Sequence, residues 1–92
     1  ELAKADPSLA PQALEALLKA AGDPNDNVRS AAASALGELA KADPILAPKT
    51  LEALLKAVGD HYAIVRSAAA WALKEVKRIM NRSVAPEEKK QE

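Results

Sequence analysis

The chain carries nearly the same 37-residue segment twice. Residues 1–37, ELAKADPSLAPQALEALLKAAGDPNDNVRSAAASALG, align without gaps on residues 38–74, ELAKADPILAPKTLEALLKAVGDHYAIVRSAAAWALK. The copies differ at ten positions and agree at the other 27. A repeat of this length indicates stacked helical units, because one unit cannot bury its own apolar face and needs a neighbour. A third copy begins and fades: Glu75 and Val76 match Glu38 and Leu39, and then KRIMNR stands where AKADP is expected. The chain also starts in mid-unit, since ELAKA at 1–5 matches 38–42, the last turns of a second helix. A leucine-bearing face is therefore expected at the N-terminal end. The first residue is not Met, so the chain is expected to be a mature form, a trimmed piece or a fragment of something longer.

Each unit reads as two helices. Asp6-Pro7 and Asp43-Pro44 suit helix starts: Asp caps, and proline sits where its missing N–H costs nothing. Short lead-in turns are expected at 7–10 and 44–47, with main helices at 11–21 and 48–58. Leu14, Leu17, Leu18 and Ala21 recur at helical spacing, as do Leu51, Leu54, Leu55 and Val58. Gly22 and Gly59 are stop signals. The second helix of the first unit is expected from Asp26 to about Lys41, with the stripe Val28, Ala32, Ala35, Leu36 and Leu39. Its counterpart is expected from about Tyr62 to Arg82, with Val65, Ala69, Ala72, Leu73, Val76, Ile79 and Met80. The expected organisation is one repeat domain at 1–82, with units 1–37 and 38–74, and a polar tail at 83–92 that frays or is disordered.

Composition supports helices. Apolar residues are 49% of the chain, many of them alanine, and the only aromatics are Tyr62 and Trp71. That favours closely approaching helices over strands. Charges balance, 13 against 13, leaving no global field to attract nucleic acid or an anionic membrane. The absence of cysteine excludes disulfides and thiolate metal sites. No apolar run is long enough to span a bilayer, and no signal peptide is visible. The compartment is undetermined, with the cytoplasm favoured over a secretory route.

The stretch LEALLKAAGDPNDNVRSAAASALGELAK (14–41) resembles the HEAT repeat: an apolar helix, an Asp-Pro turn, Val-Arg, an alanine-rich helix, then Leu-Gly. The second copy keeps Asp60, Val65, Arg66 and Leu73 but departs at His61 and Lys74. The near-identity of the copies also resembles a consensus-designed scaffold or a recent duplication. The resemblance implies an all-α, right-handed α-solenoid of two helix-turn-helix units and four main helices. It also implies a protein-binding scaffold rather than an enzyme. The family's Asp and Val-Arg positions fall on Asp23, Val28 and Arg29, and on Asp60, Val65 and Arg66. Each arginine is expected to bridge the turn carboxylates of its own unit and its neighbour, fixing the stacking.

The second copy replaces Pro24, Asn25, Asn27 and Ser34 by His61, Tyr62, Ile64 and Trp71. Ile64 and Trp71 are seven residues apart and share a helix face with Ala68, Glu75 and Arg78. Tyr62 is expected to stack over Arg66. Besides chance drift between the copies, two readings stay open. The larger residues cover an end that has no follower, or Tyr62, Ile64, Trp71, His61 and Arg78 form a contact surface for another protein or for a second copy of the chain.

Chemistry has little support. One histidine makes no His-rich metal site, and the serines of the alanine-rich helices have no relay to activate them. No catalytic residue, cofactor, metal or small-molecule substrate is expected. Lys74, Lys77, Arg78 and Arg82 form a basic run that suits a helix C-terminus better than a nucleic-acid surface.

Overall fold

The computed structural model describes residues 9–91, with side chains described to residue 82. The partial helix expected at 1–5 and the Asp6-Pro7 cap lie outside the described residues. Four helices follow in order: α1 (Leu9–Ala20), α2 (Asp26–Ala42), α3 (Ala47–Ala57) and α4 (Ala63–Gln91). A single 3-10 turn, Pro44–Leu46, leads into α3. Among the described residues there is no strand. The class is all-α, and α1/α2 and α3/α4 are the two stacked pairs.

The local chemistry explains most boundaries. Asn25 caps α2: its Oδ1 accepts from the N–H of Asn27 at 2.8 Å and of Val28 at 3.3 Å. Asp43 caps the 3-10 turn, accepting from the Ile45 N–H at 3.3 Å, with Pro44 in the first turn. The first unit differs from expectation, because α1 is already helical at Leu9 and Pro11 lies within its first turn, where proline is tolerated. Both first helices end two residues before their glycine, and neither glycine takes a positive φ. Each end instead tightens through i→i−3 bonds, Gly22 N–H to Lys19 O at 3.0 Å and Gly59 N–H to Lys56 O at 3.1 Å. The main chain of α4 stays helical past Arg82 to Gln91, beyond the boundary expected at 82. No glycine or Asp-Pro pair stands there and Glu87 to Gln91 are helix formers, but Pro86 lies inside the stretch and removes one backbone donor.

The tightest packing is α2 on α4. Ala33, Gly37 and Ala40 are buried and lie four and three residues apart, one small-residue seam along α2. Ala69, Ala72 and Val76 are buried on α4. At the closest point a Cβ placed on Gly37 would lie 2.8 Å from the Ala72 Cβ and 3.1 Å from its Cα. The seam was not part of the single stripe read from the sequence. A second helix in a stack has neighbours on two sides, so its small and apolar arc is wider than one stripe. Leu36 and Leu54 are the largest fully buried side chains and fill the space among the helices. Thr50, also fully buried, satisfies its hydroxyl by donating to the Ala47 carbonyl at 2.9 Å.

The two copies differ in burial as a stacked pair should. Val65 retains 1% of its surface, whereas its equivalent Val28 retains 39%. Leu18 is 39% exposed, but its equivalent Leu55 is 53% exposed, so among the described residues Val28 alone marks the apolar face expected at the N-terminal end.

Glycine substitutions separate close approach from chain termination. Gly37→Ala gains about 1 kcal/mol of helix propensity but forces α2 and α4 apart, a cost of about 1–3 kcal/mol. A net fall in urea midpoint is expected. Gly59→Ala meets only the Lys56 carbonyl, at an ordinary 3.5 Å, and the midpoint is expected to hold or rise slightly.

Candidate protein-contact site

The junction between the pairs is locked at one edge by Arg29 and Asp60. Arg29 sits in the first turn of α2, and Asp60 lies in the turn between α3 and α4. Arg29 Nε donates to Asp60 Oδ2 at 2.7 Å and Nη2 to Oδ1 at 3.1 Å, a two-pronged charged pair. Nη1 turns back to its own unit and donates to the Asp23 and Pro24 carbonyls at 2.8 and 2.9 Å. The neighbour's carboxylate is thus bridged as expected, but the own-unit contact is to carbonyls and not to the Asp23 carboxylate. The reason is local: Asp23 Oδ1 accepts the Asn25 N–H at 2.8 Å and shapes the turn. Arg66 repeats the own-turn half of the pattern, donating to the Asp60 and His61 carbonyls at 2.8 and 2.9 Å.

The substituted positions look back across this junction. Tyr62 stacks over Arg29, its ring centroid 5.7 Å from the guanidinium carbon, and not over Arg66. The Tyr62 N–H also donates to Asp60 Oδ1 at 2.9 Å. Trp71 lies over the Gly37 gap, with Cζ3 3.2 Å from where a Cβ would be. The Lys41 ammonium sits 6.0 Å from its ring centroid. The Ile64 carbonyl is 3.4 Å from the Ser30 hydroxyl, which donates to it. Tyr62 and Trp71 therefore brace α4 against α2.

Much of each side chain stays in solvent: Tyr62 is 53% exposed, Ile64 49% and Trp71 40%. Tyr62 and Trp71 are nine residues apart, about 13 Å along the helix, and do not touch. Ile64 and Trp71 share one face. His61 is exposed in the turn and contributes its carbonyl to Arg66. Arg78 is exposed, 4.0 Å from Glu75. Beyond Trp71 the same edge opens into a groove of about 430 Å³ lined by Lys41, Pro44, Glu75, Arg78, Ile79 and Arg82. Lys41 joins this groove to Trp71. Neither Gly37 nor Lys41 was singled out as a site residue from the sequence. Their signal was the exchange of Ser34 for Trp71, which needs a gap to occupy. Among the described residues no group of acidic, histidine or cysteine side chains is placed to hold a metal ion, and no helix is long and apolar enough to cross a membrane.

Arg29 holds the Asp60 carboxyl well below the usual range, at about 2, chiefly through their hydrogen bond, with the Tyr62 N–H adding to it. A carboxylate with a depressed folded pKa contributes stability above its unfolded pKa, 3.8, and loses it as pH falls toward about 2. Urea midpoints are expected to drop between pH 5 and pH 2. The drop should be shallower in Asp60→Asn, which starts lower at neutral pH. Equal slopes in the two proteins would contradict the assignment.

Comparison with curated proteins and with solved structures gave no significant match. A family model for HEAT repeats matches residues 1–74, both copies from end to end. With paired helices, an arginine–aspartate bridge between units and this match, the chain belongs to the HEAT-repeat family.

Proposed function

We propose that the chain is a non-catalytic protein-binding module whose contact surface runs along the junction edge of α4. HEAT repeats generally mediate protein–protein interaction and are typically non-catalytic. The observation that carries the reading is Trp71: a large aromatic, 40% exposed, seated over Gly37 and flanked by Lys41. A ring already held in place loses little entropy when a partner covers its outer half, which is what a binding hot spot requires. Ile64 extends the apolar surface one way. Lys41, Arg78 and Arg82 extend it the other way as a basic groove around Glu75. The partner this surface fits is a protein segment with an apolar anchor and neighbouring carboxylates. Tyr62, on its Arg29 seat, and His61 lie at the turn end and form the rim.

A displayed library of amphipathic helices, selected on the wild-type chain, tests this. Binders are expected to carry acidic residues beside an apolar anchor. They should lose at least about tenfold in affinity, about 1.4 kcal/mol, on Trp71→Ser/Ile64→Asn. Affinity should also fall with added salt. Trp71→Ser itself should cost about 1–2 kcal/mol of stability, so the variant's helicity is checked first. Binders that hold both proteins equally would sink the reading.

A further inference from the structure

Each unit carries both halves of the internal lock, and one half in each is not joined across units within the chain. Asp23 stands where Asp60 stands one unit later, and Arg66 stands where Arg29 stands one unit earlier. Asp23 accepts its own Asn25 N–H and Arg66 donates to its own turn carbonyls, as their equivalents do. Among the described residues, neither forms the cross-unit ion pair that joins Arg29 to Asp60. A second copy stacked on α4 as α4 stacks on α2 would bring its Asp23 to Arg66. It would also set its Ala35, the equivalent of Ala72, against position 74.

Position 74 is where the repeat breaks. Gly37 becomes Lys74, and three residues on, the fully buried Ala40 becomes Lys77. Both lysines are exposed on α4. At Gly37 even a Cβ would meet Ala72 at 2.8 Å, so the junction has no room for a lysine stem. An ammonium forced into such a seam loses its water without gaining a partner. We propose that Lys74 and Lys77 bar a second copy of this chain from stacking head-to-tail on α4, over a surface whose charged lock is otherwise complementary. The barrier matters because a head-to-tail contact does not close on itself and would run on as a row of chains. It also separates two roles on one helix: the junction edge keeps Trp71 and Ile64 open, while the far face is closed by charge.

Sedimentation velocity over a range of concentrations tests this on the full chain and three variants, each first shown helical by circular dichroism. The wild type is expected to stay monomeric. Lys74→Gly/Lys77→Ala is expected to associate as concentration rises. Lys74→Ala/Lys77→Ala should associate at least about tenfold more weakly, because the added methyl group keeps the helices apart. Adding Asp23→Asn to the glycine variant should weaken it similarly by breaking the lock. Two results would overturn the proposal: a wild type that associates as strongly as the glycine variant, or a folded glycine variant that stays monomeric. The second would mean that the two lysines are not what closes the face.

Discussion

At Gly37 the backbone of α2 comes so near α4 that one added methyl group would meet Ala72. The rest of the junction is arranged around that approach. Ala33 and Ala40 continue the narrow seam on α2, with Ala69 and Ala72 buried on α4. Dispersion between such small groups is individually slight and depends on the helices staying close. Arg29 and Asp60 fix the edge of the seam with two charged hydrogen bonds. Tyr62 lies over Arg29, and Trp71 covers the seam where glycine leaves space beside the helix. A bulkier seam would move α4 outward and unseat both aromatics together.

The arrangement gives α4 two different surfaces. Its junction edge carries large apolar and aromatic groups whose inner sides are packed and whose outer sides meet water. Its far face carries Lys74 and Lys77 at the positions that α2 uses for close packing. A chain with an alanine-rich core has little apolar area in reserve, so exposed Trp71 and Ile64 are a cost to solubility that function would explain. The lysines have the opposite effect. They keep charge where a bare seam would invite association.

Much of this was legible in the residues. The 37-residue repeat and the leucine spacing led to paired helices, and the HEAT-repeat resemblance led to the arginine bridge, of which the half that reaches the neighbour's carboxylate is present. The second helices were expected to start at Asp26 and near Tyr62, and they start at Asp26 and Ala63. Other features were not legible, for definite physical reasons. Pro11 looked like a helix start and lies inside the first turn of α1, because proline suits several positions there. Tyr62 pairs with Arg29 and not with the nearer-numbered Arg66, because stacking brings the previous unit's arginine to its ring. Ala33, Gly37 and Ala40 carry no bulk and so no hydrophobic signal. They matter through the distance they permit, which only the packed structure expresses. With them in view, Trp71 covers the gap that Gly37 leaves, and Lys74 and Lys77 put charge on the far face of α4 at the positions where α2 has Gly37 and Ala40.

Native-state hydrogen exchange of the full chain tests the central claim, that this junction makes the two units one cooperative body. The account predicts that amides of α2 around Leu36–Ala40 and of α4 around Ala69–Leu73 exchange slowest. They should share one opening free energy, equal to that of global unfolding. If the α1/α2 pair instead opened well below the global value while α3/α4 remained protected, the junction would not hold the fold together.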